Sequence, residues 1–247
     1  TALRLDATAI AFRTAKGAAV AVVASAQPRL PAGTEGLKEE VQARAMLIDR
    51  FGEIKQTGER RVGGVVSASV GRSELRVPMI LAAQRPGRYQ VRVAANSVAS
   101  DATGSVFVNV DVPDFRRERL SLSGVALRVA PDSPGITAPG LDGVFPFTPS
   151  TRRAFVRPTD DVEAAVRVYA NRPDAPVAVT CRIRNAAEAD VSVTERVASR
   201  AEATNVSGAL VRCPVPVATL AAGHYLLEIE ARAGARSALR KVKFIIE

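Results

Sequence analysis

Tryptophan is absent from this sequence, histidine occurs once, and cysteine and methionine occur twice each. One histidine, His224, cannot supply the imidazoles of a histidine-based metal site, and a catalytic triad would have to be built around it alone. It lies inside a Gly-x-Tyr turn motif, a poor place for a general base. The two cysteines, Cys181 and Cys213, cannot close a zinc site, and CxxC spacing is missing. Aromatic residues are only 4% of the chain. They fall in strand or turn positions, whereas stacking on bases would need exposed aromatics beside the basic residues, which argues against nucleic acid as a partner. No apolar run approaches the roughly 18–20 residues of a membrane-spanning helix. The stretch AAVAVVASA (18–26) is shorter and reads as a strand, so no transmembrane segment is expected. No secretory leader is visible either. The chain opens directly on the strand-like TALRLDATAIAF, and we expect it to be a mature or truncated piece of something longer.

What is present is a 247-residue chain, 47% apolar, rich in Val, Ala, Leu and Ile. That is too apolar for general disorder and long enough for two domains that each bury a core. Basic residues number 34 against 25 acidic, a net charge of +9, and 29 of the 34 are arginine. Two readings stand. The excess attracts anionic partners such as envelope glycans or lipid headgroups, or arginine merely fills the solvent face of alternating strands, as in RVAA, RVYA and CRIRN.

Period-two alternation dominates the chain. It is clear over residues 3–12, 41–49, 90–95, 105–112, 162–169, 177–184, 226–231 and 239–246. Turn signals separate these segments: Asp49-Arg50-Phe51-Gly52, Arg85-Pro86-Gly87 and Ala233-Gly234. Residues 35–48 could place Leu37, Val41, Ala45 and Ile48 on one helix face. The alternation of Val41, Ala43, Ala45 and Leu47 and the turn that follows favour a strand. Many short strands with Gly and Pro between them predict an all-β protein of two consecutive immunoglobulin-like, fibronectin III-like antiparallel sandwiches, at 1–114 and 115–247. Pro113-Asp114-Phe115 closes the first, and the charged run Arg116-Arg117-Glu118-Arg119 follows. The Pro/Gly-rich stretch 131–149 (PDSPGITAPGLDGVFPFTP) cannot be a strand interior. It reads as a long surface loop of the second domain.

Two segments echo each other about 136 residues apart: Pro86-Gly87-Arg88-Tyr89 and Ala222-Gly223-His224-Tyr225. Each leads into an alternating strand, a short loop and one final strand. This is the pattern of a tyrosine corner, in which the Tyr hydroxyl bonds backbone a few residues upstream. Tyr89 and Tyr225 are thus expected to be structural.

Other motifs carry little chemistry. Asp101-x-Thr103-x-Ser105 superficially matches the Asp-x-Ser-x-Ser cation signature of von Willebrand A-type domains, but it sits in a polar loop between two strands and reads as a hairpin. Glu39-Glu40 and Asp160-Asp161 read as solvated charge. Gly63-Gly64 lacks the Lys and helix of a phosphate loop, and Asn205-Val206-Ser207 is a formal glycosylation sequon. Cys181 and Cys213 both lie on the apolar face of alternating strands. They are either a buried disulfide or two reduced core thiols. No cofactor is implied and no catalytic or metal residue is expected, so the chain reads as no enzyme.

The order Arg85-Pro86-Gly87-Arg88-Tyr89-Gln90-Val91-Arg92-Val93, then Gly104-Ser105-Val106, then Asp111-Val112-Pro113-Asp114-Phe115, then Leu120-Ser121-Leu122-Ser123-Gly124 resembles the C-terminal region of acidobacterial von Willebrand A-related proteins. Residues 220–227 and 240–244 resemble the final region of the same family. The resemblance implies an exported bacterial protein in which these sandwiches follow an A-type domain. That domain and its cation site are absent from this chain, so no adhesive residue carries over. Export favours the disulfide reading of Cys181 and Cys213. The expectation is a non-enzymatic extracytoplasmic interaction or scaffold module, stalk-like, binding a protein partner or itself. The alternative is an envelope-binding module that reads anionic polysaccharide or lipid headgroups through Arg-rich faces. The basic junction Arg116, Arg117 and Arg119 and the apolar loop residues Ile136, Leu141, Phe145 and Phe147 are the candidate interaction surface.

Overall fold

The computed structural model describes residues 2–30, 33–67, 74–130, 135–141, 143–171 and 176–247. Among these, the chain forms strands almost throughout, with one short helix at Arg200–Thr204. The segment that could have been a helix is the strand Leu37–Asp49. Val41, Ala43, Ala45 and Leu47 are buried there, and Gln42, Arg44 and Met46 between them are not. A period of two has won over a period of 3.6 because only it hides all four apolar side chains.

Packing divides the chain into two compact units. Unit 1 comprises Thr1–Ala9, Ala19–Val112 and Asp132–Thr151. Its strands are β1 (Arg4–Thr14), β2 (Gly17–Gln27), β3 (Leu37–Asp49), β4 (Ile54–Val66), β5 (Glu74–Ala83), β6 (Gly87–Ser97), β7 (Ala102–Val112) and β10 (Gly135–Thr137). They form two four-stranded sheets, ordered β1-β2-β5-β10 and β4-β3-β6-β7. The second is antiparallel throughout, and β10 lies parallel to β5. Strand β2 is buried from Ala19 to Ala26. Both of its faces are covered, which is why its sequence runs apolar without alternating. The sheets approach closely at Gly58 of β4: a Cβ there would come within 2.9 Å of Leu81 Cδ2 on β5.

Unit 2 comprises Ile10–Ala18, Pro113–Pro131 and Arg152–Glu247. Its strands are β8 (Leu120–Leu122), β9 (Ala126–Ala130), β11 (Ala154–Phe155), β12 (Asp161–Ala170), β13 (Val177–Asn185), β14 (Asp190–Ala198), β15 (Ala209–Val215), β16 (Gly223–Ala233) and β17 (Arg236–Ile246). One sheet runs β15-β12-β8, with β9 also paired to β12; the other runs β11-β17-β16-β13-β14. A single core joins the two sheets through Leu122, Val166, Val211, Ile183, Leu227 and Phe155. Both units are therefore β-sandwiches. With β8 and β9 counted as one strand and the short β10 and β11 left out, both units follow one order: first-second-fifth in one sheet, fourth-third-sixth-seventh in the other. The repeat seen in sequence is a repeat of topology, with a short parallel strand added at a different edge in each copy.

The division by packing interleaves, whereas the sequence reading placed one cut after residue 114. The Pro/Gly-rich stretch counts with unit 1, not with the second domain, because Gly135, Ile136 and Thr137 pair with Glu74, Leu75 and Arg76 on the edge of β5. Residues 10–18, the tip of the β1–β2 hairpin, count with unit 2. There, Ala11 O accepts from Gly124 N at 2.8 Å, and Arg13 N donates to Tyr169 Oη at 3.2 Å.

Tyr89 and Tyr225 start the sixth strand of their units, and both are buried. Tyr89 Oη donates to the Arg85 carbonyl at 2.7 Å, and Tyr225 Oη donates to the Ala221 carbonyl at 2.8 Å. Tyr89→Phe and Tyr225→Phe should each lower stability by about 1 kcal/mol, the usual net worth of one hydrogen bond. Urea titration of the two single variants checks this, and an unshifted midpoint would remove the role assigned to the hydroxyl.

Candidate functional site

The charged turns of unit 1 build a concavity that a ligand could enter. Asp49 ends β3 and organises the β3–β4 hairpin. Its carboxylate accepts from Phe51 N at 2.9 Å and Glu53 N at 3.0 Å, and Lys55 Nζ lies 3.1 Å away. Desolvation pushes the Asp49 carboxyl up. The Glu53 N–H, the Lys55 ammonium and the Phe51 N–H together outweigh that and hold it below its ordinary value. With the turn fixed this way, Phe51 and Ile54 stand in solvent, at 73% and 56% exposure. The Arg50 guanidinium lies over the Phe51 ring, 4.7 Å from its centroid, a cation–π arrangement that holds it at the hairpin tip.

The other wall is the β5–β6 turn. The tyrosine corner clamps the Arg85 carbonyl, so a stability element also sets where Arg85 leaves the sandwich. Gly87, at φ 144°, turns the chain into β6. Arg88 reaches Asp111 at 3.3 Å. Both side chains are about three-quarters exposed, so that pair is weak. Between the two walls lies a cleft of about 630 Å³ whose charged lining is Asp49, Arg50, Glu53, Lys55, Arg85 and Arg88. Lys55 contacts both Asp49 and Glu53. Its ammonium pKa is raised first by the bond to Glu53 and then by the bond to Asp49. Among the described residues Arg50 and Arg85 have no carboxylate partner. The cleft thus carries two uncompensated guanidinium groups beside an exposed ring.

The surface anticipated from sequence is arranged differently. Leu141 and Phe145 are buried at 5% and 3% exposure, and Ile136 and Phe147 are half-buried. Ile136 lies over Gly64 of β4, where a Cβ would come within 2.2 Å of Ile136 Cδ1. Phe145 and Phe147 pack ring to ring with centroids 6.0 Å apart. Leu141, Val144 and Phe145 of the loop are packed away from water, and Ile136 and Phe147 partly so. Arg116, Arg117 and Arg119 are exposed and belong to unit 2. Arg116 donates to the Lys16 carbonyl at 2.7 Å, and Arg117 lies 3.7 Å from Asp114.

Two acidic residues expected in solvent are inside. Glu39 is 2% exposed and accepts from Ser97 Oγ at 2.8 Å, Ala99 N at 3.1 Å and Glu40 N at 2.9 Å. Asp160 is 9% exposed, held by two nitrogens of Arg152 at 3.1 and 2.5 Å and by Val156 N at 2.7 Å. Each is a satisfied carboxylate tying down loop backbone. Asp101 occupies the β6–β7 turn at φ 45°. His224 is exposed at the start of β16. Among the described residues no three His, Cys, Asp or Glu side chains gather where they could hold a metal ion. Cys181 on β13 and Cys213 on β15 form a disulfide between the two sheets of unit 2, with Cα atoms 6.0 Å apart.

No family model matches the chain, and no curated protein matches it. Among solved structures it is similar to dimeric latent PorU from Porphyromonas gingivalis, at 10% identity and TM-score 0.35, over 97% of this chain and 20% of that one. It is also similar to the β-glucuronidase of Parabacteroides merdae, at 7% identity and TM-scores of 0.30 and, with glycerol in the active site, 0.31, over 92% of this chain and 27% of that one. The chain thus spans about a quarter or less of the proteins it resembles. Among the described residues, no helix is long and apolar enough to cross a membrane.

Proposed function

We propose that this chain is a non-enzymatic interaction module that works outside the cytoplasm and engages an anionic partner through the cleft of unit 1. The observation that carries this reading is the pairing of Arg50 and Arg85, both without a carboxylate, around the exposed Phe51 ring. A fork of guanidinium donors suits carboxylate, sulfate or phosphate groups, and an exposed ring suits the apolar face of a sugar. An acidic envelope polysaccharide offers both. The disulfide supports an oxidising compartment. The strand order and the two tyrosine corners support an immunoglobulin-like or fibronectin III-like fold. Together with the resemblance to von Willebrand A-related proteins, these features fit a stalk-like accessory region of a bacterial surface protein.

Retention on an immobilised polyuronate or sulfated polysaccharide tests the reading. The chain should be retained at low salt and released as salt rises. The double variant Arg50→Glu/Arg85→Glu should bind at least about tenfold more weakly. A variant of equal charge change on unit 2, Arg117→Glu/Arg119→Glu, should bind as the wild type does. Equal losses in both variants would mean diffuse attraction with no site in the cleft.

A further inference from the structure

The sheet β4-β3-β6-β7 of unit 1 turns one face to its core and the other to solvent. Its register lays the solvent face out in rungs across the four strands. One rung is Arg61, Gln42, Asn96 and Thr103, the next is Glu59, Arg44, Ala94 and Ser105, and the third is Thr57, Met46, Arg92 and Phe107. Ala94, on an inner strand of the middle rung, is the one residue of this grid whose side chain ends at Cβ. A hollow of about 290 Å³ opens there, walled by Gln42, Arg44, Glu59, Asn96 and Thr103. Arg92 does not fold over it, because its guanidinium is turned along β6 to Gln90 Oε1 at 2.6 Å. Phe107 stands at the rim, 64% exposed. It lies diagonally across β6 and β7 from Ala94, a spacing that an aromatic side chain spans.

On a face that is merely solvated, opposite charges in direct register pair with one another. Arg44 and Glu59 are in direct register. Yet among the described residues neither makes an ion pair or a side-chain hydrogen bond, and the side chains of Asn96 and Thr103 make none either. The wall therefore offers a donor-only guanidinium, an acceptor-only carboxylate, and an amide and a hydroxyl that do both. The two charges cancel, so an anion meets Glu59 and a cation meets Arg44. A sugar hydroxyl donates and accepts at once and satisfies both groups. The Phe107 ring supplies an apolar surface for the C–H face of a sugar. We infer that the hollow binds one uncharged sugar unit of a polysaccharide chain. Its volume is at the lower end for ligand pockets, about 300–1,000 Å³, which suits a single ring and leaves the polymer free to run on across the open sheet. The site is separate from the cleft at Arg50 and Arg85. Arg44 precedes Asp49 on β3 by five residues, roughly 17 Å, and the inference does not rest on what the cleft binds.

Retention of the full chain on four columns of immobilised neutral oligosaccharides (gluco-, manno-, galacto- and xylo-configured) tests this. The wild type should be retained on at least one, and the retention should hold as salt rises, because no charged ligand is involved. Arg44→Ala/Glu59→Ala leaves the net charge unchanged and should weaken binding by about tenfold or more. Both side chains are exposed, so thermal unfolding of this variant should stay close to the wild type's. Ala94→Ile fills the hollow with a residue that suits a strand and should also abolish retention. Arg50→Glu/Arg85→Glu should be retained as the wild type is, so a failure of the cleft and a failure of the hollow register separately. A wild type that none of the four columns retains overturns the inference. So does retention that survives either hollow variant or fades with salt.

Discussion

Gly208→Ala should cost unit 2 about 2–4 kcal/mol, a large share of the roughly 5–15 kcal/mol by which a domain is ordinarily stable. Gly208 follows the short helix and leads into β15 at φ 68°, where any Cβ is strained by about 1 kcal/mol or more. There is also no room for the Cβ. It would stand 2.5 Å from both Cδ1 and Cε1 of Tyr169 and 2.7 Å from the Val168 carbonyl. The Tyr169 ring cannot yield, being 1% exposed and packed edge-on against Phe115 at 5.1 Å. Forcing a methyl into such a site typically adds about 1–3 kcal/mol. Gly234 supplies the control. It sits at φ 59° in the β16–β17 turn, and a methyl there would meet nothing within 4 Å. Gly234→Ala should therefore cost only the backbone strain, about 1 kcal/mol. Equal losses for the two variants in thermal denaturation would contradict the packing at Tyr169.

Removing the disulfide, as Cys181→Ala/Cys213→Ala, should cost about 3 kcal/mol. The bond closes a loop with a sequence separation of 32, and constraining the unfolded chain over that length is worth roughly 3–4 kcal/mol in the loop-entropy account. The two sulfurs belong to core residues, 4% and 0% exposed, and alanine leaves their volume unfilled. Adding reductant to the wild type should reproduce most of the loss without the cavity. A melting temperature that reductant does not move would mean that the thiols are not joined in solution.

Much of this fold is legible in the residues. Alternation gives most of the strands because a sheet of a sandwich has one wet and one dry face. The Gly-x-Tyr pair marks the sixth strand of each unit because its hydrogen bond is local, closing over four residues. Long-range placement is what alternation cannot carry. Nothing in GIT at 135–137 says that it will pair with β5, more than fifty residues earlier, or that Ile136 will sit over a glycine of β4. A carboxylate that is buried and satisfied, like Glu39 or Asp160, has the same letter as one in solvent; only its partners, brought from Ser97 and Ala99 or from Arg152, distinguish them. The cleft suffers the same blindness. Arg50 and Arg85 lie in two turns that read as ordinary punctuation, and their proximity exists only once β3 and β6 pair.

The Cys181–Cys213 bond has a mechanical side as well. In the stalk role proposed above, tension would run along the chain. The bond shunts that tension from β13 directly to β15, so the hairpin and helix between them never bear load. The shielded segment, stretched out, would reach about 110 Å. That length is withheld from any extension of the chain under force.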